Sequence, residues 1–199
     1  MVAVATSAPP RPAPPPKRTR RSYTPEEFLR LEDPIRWEML DDGTLQERNM
    51  GMRSDEVSGA AIELLRGFVY PRKLGVVFGG GTGLQIFAGR PLRVPRADAG
   101  FISANRLPGG GAFEGHLQAV PDLLVEVVSP RDTVQDVENK VKEYLSAGVR
   151  LVWVLKPHAE TLDVYRSDGT FARLTAQDTL SGGDVLPGFE VTVARLFAR

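Results

Sequence analysis

Residues 122–155, DLLVEVVSPRDTVQDVENKVKEYLSAGVRLVWVL, decide the fold. DLLVEVV is almost wholly apolar, as expected of a strand buried on both faces. Asp132 or Thr133 can then open a helix whose Val137, Val141, Tyr144 and Leu145 make one stripe, and Gly148 is placed to stop it. RLVWVL, residues 150–155, reads as a second buried strand. Strand, helix and strand of these lengths predict a parallel crossover.

Working outward, residues 161–166 and 171–175 flank Ser167-Asp168-Gly169, a turn signal, and a last strand is expected at 189–193. On the N-terminal side, residues 98–102 form a short strand candidate, followed by a loop with Gly109, Gly110 and Gly111. Residues 74–78 and 84–87 are apolar segments read as strands around Gly79-Gly80-Gly81-Thr82-Gly83. That loop lacks the glycine spacing and the Gly-Lys-Ser/Thr ending of a phosphate cradle, so it is read as a turn. Ser54 opens a helix in which Val57, Ala61, Leu64, Leu65 and Phe68 recur at three- and four-residue steps, closed by Pro71.

Residues 36–40 and 44–47 flank Asp41-Asp42-Gly43 and predict a hairpin. Before it, Thr24, Pro25 and Glu27 form a capping-box start for a helix reaching about Asp33. The expected class is therefore α/β, with a mixed sheet flanked by helices, an N-terminal hairpin and C-terminal antiparallel strands.

With 199 residues, the chain suits one sizeable core. The division expected is a Pro/Arg-rich basic arm, 1–22, disordered by composition, and a single domain, 23–199. Arg11, Lys17, Arg18, Arg20 and Arg21 stand in the arm without an acid, which leaves 20 basic residues against 25 acids in the body. The arm is either a solubilising extension or a nonspecific DNA tether. The absence of cysteine excludes disulfides, thiolate metal sites and cysteine nucleophiles, and two histidines leave little room for a histidine-rich site. Any metal is then a hard one held by carboxylates. No secretory signal or membrane-length apolar run is present, so a cytoplasmic protein is expected.

Three residues could carry chemistry. Glu126 stands among Val125, Val127 and Val128, where an isolated ionised carboxylate costs several kcal/mol. A metal, a cation or an open sheet end must compensate it, which makes it a site candidate. Asp98 offers a second carboxylate, though only a fold that pairs their strands brings the two together. Lys140 borders the helix stripe and can lean toward the strand, where it would position or deprotonate a water or stabilise charge on phosphorus. Spacing by itself favours a plain surface ion pair with Asp136, four residues earlier.

The ordered appearance of WEMLDDG, RVPRADAGFIS, PDLLVEVVSP, ENKVKEYLSAGV, LVWVLKP and LPGFEV resembles the Uma-type restriction endonucleases, a bacterial branch of the PD-(D/E)XK nuclease superfamily. The resemblance runs from about Tyr23 to Phe197 and is densest over residues 121–154. It implies a restriction-endonuclease-like fold and a metal-dependent endonuclease acting on DNA. Asp98 would be the motif aspartate, Glu126 the second metal ligand, and Lys140 the motif lysine moved onto the helix, since Val128 occupies the usual lysine position. The backbone carbonyl of Val127 would add a metal oxygen, and the ion would be Mg2+ or Mn2+. Glu38 matches an acid of the family's hairpin, with either a catalytic or a salt-bridge role, and Glu56 is a weaker candidate. Two extra residues precede Asp98, in Pro95-Arg96-Ala97-Asp98, so its assignment depends on strand register. By analogy the protein would be a homodimer that cuts both strands. The competing expectations are a noncatalytic nuclease-fold binding domain and hydrolysis of some other phosphoester.

Overall fold

The computed structural model describes residues 17–48, 51–107 and 114–198. The glycines expected in a loop at 109–111 and residues 1–16 of the basic arm lie outside these. Six strands form one sheet in the order β3 (Gly75–Gly79), β4 (Ala99–Ser103), β5 (Leu123–Val127), β6 (Leu151–Lys156), β7 (Thr161–Arg166), β8 (Phe171–Leu174). The β5–β6 pair is parallel, as the crossover requires, and every other pair is antiparallel. The sheet is thus mixed, as expected.

Alternation along β5 divides the core. Leu123, Val125 and Val127 face α2 (Met52–Val69), which supplies Val57, Ala61, Leu65 and Val69. Leu124 faces the other way, toward α3 (Val134–Ser146) and its Val141 and Tyr144. Glu126 shares this second face. Thr133 caps α3 through a reciprocal capping box with Asp136, so Asp136 is engaged at the helix start and not with Lys140.

The hairpin β1 (Trp37–Met39) and β2 (Leu45–Glu47) forms as expected, with Gly43 at φ 75° in the turn. It packs with α1 (Pro25–Leu29) around Phe28, Met39, Leu45 and Val94. Residues 17–22 were grouped with the arm, yet Lys17 and Thr19 exchange backbone hydrogen bonds with Glu47 and Leu45, extending the hairpin by a short third segment. The described fold thus begins ahead of the expected boundary at Tyr23.

Three expectations are corrected, and one element is added. Residues 84–87 are not a strand: Leu84 donates to Pro95 and Gln85 to Leu117, two separate segments that never build a ladder. α1 stops at Leu29 rather than near Asp33, and Asp33 precedes Pro34, where helical geometry is disfavoured. α2 starts at Met52, after Gly51, instead of at Ser54. At the C-terminus, β9 (Thr179–Ser181) was not anticipated; it pairs with β10 (Glu190–Thr192) as a separate two-stranded sheet, followed by α4 (Ala194–Phe197). No described helix is long and apolar enough to cross a membrane.

Candidate active site

The β4–β5 register ends with Ala99 against Val125, so Asp98, the residue before β4, lies at the end of β5 that carries Glu126. Asp98 is fixed there through both main chain and side chain: its N–H donates to the Val125 carbonyl at 3.0 Å, and its Oδ2 accepts from the Val127 N–H at 2.7 Å. The two residues inserted before it therefore do not turn it away. α3 crosses over this end of β5 and brings Lys140, whose Nζ donates to Glu126 Oε2 at 3.3 Å and to Glu38 Oε1 at 3.0 Å. The hairpin supplies Glu38 from β1. Four residues, from β1, β5, α3 and the position before β4 and separated by up to 102 positions in sequence, thus meet in one cavity of about 440 Å³ that Val127 also lines.

Glu56 does not line the cavity; it pairs with Arg53 on α2 at 3.2 Å. Two site residues were not anticipated. Tyr144, expected only as part of the apolar stripe, donates its hydroxyl to Glu126 Oε1 at 2.6 Å. Arg48 donates to Asp98 Oδ1 at 2.8 Å and lies 3.7 Å from Glu38. Arg48 stands just past the hairpin strand, where a charged residue is ordinary, so the sequence offered no signal for it; a tyrosine hydroxyl in an otherwise apolar buried stripe was a signal, because such a hydroxyl needs a partner.

Burial sets the electrostatics. It pushes the Glu126 carboxyl up from 4.5 to about 7, with Asp98 and Glu38 adding to the rise and Lys140 and the Tyr144 hydroxyl opposing it. Burial also holds Asp98 above the ordinary value despite Arg48 and Lys140. For Glu38 burial acts the same way but loses to Lys140, Arg93 and Arg48, so this carboxyl ends below the ordinary range. Lys140 is desolvated too, yet the three surrounding carboxylates raise its pKa above that of a free lysine, so it keeps its proton.

Seven acids line the cavity against four cations, namely Arg48, Arg93, Arg131 and Lys140, so the surplus is negative and suits a cation. The carboxylates of Asp98 and Glu126 offer only hard oxygens, the donors that a hard divalent ion with several waters takes, and Val127 lines the same cavity. Among the described residues no three histidine or acid side chains converge into a ready cage. Lys140 and Arg48 stand among the carboxylates instead. The donors fit a divalent ion that replaces part of this ion pairing.

A mixed sheet carrying acids on adjoining strand ends, with a lysine leaning over them from the crossover helix, defines a nuclease-like α/β fold. Residues 25–194 match the Uma2 family, described as "Putative restriction endonuclease", and the chain belongs to that family. Its structure resembles the crystal structure titled "putative nuclease belonging to DUF820" from Anabaena variabilis, with a TM-score of 0.71 at 18% identity, over 88% of this chain and 97% of that one. At that identity the likeness concerns the fold. No curated protein matches the sequence.

Proposed function

We propose that the protein is a divalent-metal-dependent DNA endonuclease, with Asp98, Glu126 and the Val127 carbonyl holding Mg2+ or Mn2+. The observation that carries this reading is the convergence of Asp98, Glu126, Glu38 and Lys140 on one acid-rich cavity in a chain of the Uma2 family. When bound, the ion would supply Lewis acidity and offset the phosphate charge. In the metal-free cavity the carboxylate neighbours hold a proton on Lys140, and as a cation it would stabilise the charge that grows on the phosphoryl oxygens. Glu38 positions that ammonium, and Tyr144 orients Glu126. A homodimer would present two such cavities to the two DNA strands, which light scattering checks.

A noncatalytic, nucleic-acid-binding or protein-binding domain is the second reading. It is favoured by the ion pairing already present on every site carboxylate, Arg48 on Asp98 and Lys140 on Glu126 and Glu38, and by valine at position 128. Plasmid DNA incubated with the protein in Mg2+ or Mn2+ separates the two. Cleavage by the wild type, lost in folded Asp98→Ala, Glu126→Ala and Lys140→Ala variants, supports the nuclease; no cleavage and no metal binding by the wild type supports the binding domain.

A further inference from the structure

Arg48 is held by more than its ion pair. Its Nη1 donates to the Gly80 carbonyl at 3.1 Å and to the Ile35 carbonyl at 3.4 Å, while Nη2 takes Asp98 Oδ1 at 2.8 Å. Only 9% of the side chain is exposed. A Cβ at position 80 would come within 3.2 Å of Nη1 and 3.3 Å of Nη2, so the glycine leaves room for the guanidinium to lie against the loop after β3. These contacts make a built seat for one positive charge.

That seat is on Asp98. The other oxygen of this carboxylate, Oδ2, accepts from the Val127 N–H, so Oδ1 is the oxygen without a main-chain donor, and Arg48 occupies it. A guanidinium and a divalent ion cannot both stand at bonding distance from one oxygen without strong like-charge repulsion. Asp98 itself keeps 24% of its side chain exposed, so an ion can reach it once the arginine withdraws.

We propose that Arg48 is a built-in competitor for the divalent ion: it occupies the ligand oxygen of Asp98 in the metal-free protein, and metal binding requires it to leave. This rests on the metal-site reading above. The two carbonyl anchors keep the displaced guanidinium on the cavity wall. The exchange holds the metal-free site closer to charge balance than its carboxylates alone, and lowers affinity for the ion.

The test is a Mn2+ titration of the full chain, followed by the electron paramagnetic resonance signal of free Mn2+, for wild type, Arg48→Met, Arg48→Lys and Asp98→Ala. Thermal melts with and without Mn2+ accompany it. Arg48→Met is expected to bind at least about tenfold tighter than wild type, because a close like charge has gone. Arg48→Lys, which keeps the charge but cannot span Asp98 and Gly80 together, is expected between the two and carries the test if the methionine variant does not fold. Asp98→Ala is expected to lose binding. Arginine variants that bind Mn2+ no tighter than a binding wild type overturn the competitor and leave the metal site standing. No binding by wild type or by any variant overturns both.

Discussion

Glu126 is held on both carboxylate oxygens, by Tyr144 on one and Lys140 on the other, inside an apolar strand. Tyr144→Phe removes the hydroxyl and leaves that oxygen without its donor, and is expected to lower stability by about 1–3 kcal/mol in denaturant unfolding. A pH signature follows from the raised carboxyl. Between 4.5 and about 7 the folded metal-free protein keeps a proton on Glu126 that the unfolded chain has released. The contribution of this group to stability therefore falls as pH rises through that window and levels off above it. Glu126→Gln lacks this decline, so its melting temperature relative to wild type should climb from about pH 5 to about pH 8. Melting curves that stay parallel across that range contradict the assignment. Glu126 was legible in the sequence because an acid among valines demands a partner. The identity of its partners was not: Lys140 could have served Asp136, and only the crossing of α3 over β5 decides between them.

At the level of elements, periodicity was informative wherever one segment makes one kind of contact along its length. β5, α3 and β6 follow their patterns, and of the two residues that could open α3, Thr133 is the cap. Thr133→Ala is expected to cost about 1 kcal/mol, and also to loosen the helix that carries Lys140, lowering any metal-dependent cleavage more than a distant substitution of equal cost. Comparing unfolding free energy with cleavage rate checks this. Residues 84–87 failed for the opposite reason: their apolar side chains Leu84 and Ile86 are buried, but the backbone is divided between Pro95 and Leu117. Burial alone therefore mimicked a strand. β9 has three residues and, unlike β1 and β2, no turn signal read beside it.

Across the whole molecule, the sheet separates two tasks. Its α2 face carries the larger apolar cluster, and its α3 face carries the acid-rich cavity at one end of β4 and β5. A cavity in the first face should harm stability without touching the site chemistry. Leu65, fully buried on α2, is the sharpest probe, and Leu65→Ala is expected to cost about 2–5 kcal/mol while leaving Mn2+ affinity of the folded fraction unchanged. The composition pointed to this organisation only in part. It excluded thiolate and histidine-rich sites, but overall neutrality concealed a local excess of acids around the cavity, which exists only once β1, β4, β5 and α3 meet.

The central claim is that these converging carboxylates form a divalent-metal centre, and crystals soaked in Mn2+ test it most directly. An anomalous-scattering peak bonded to Asp98 and Glu126, with the Arg48 guanidinium withdrawn from Asp98, is the result expected. A full Mn2+ soak that leaves no peak at these carboxylates, with Arg48 still on Asp98, would contradict it.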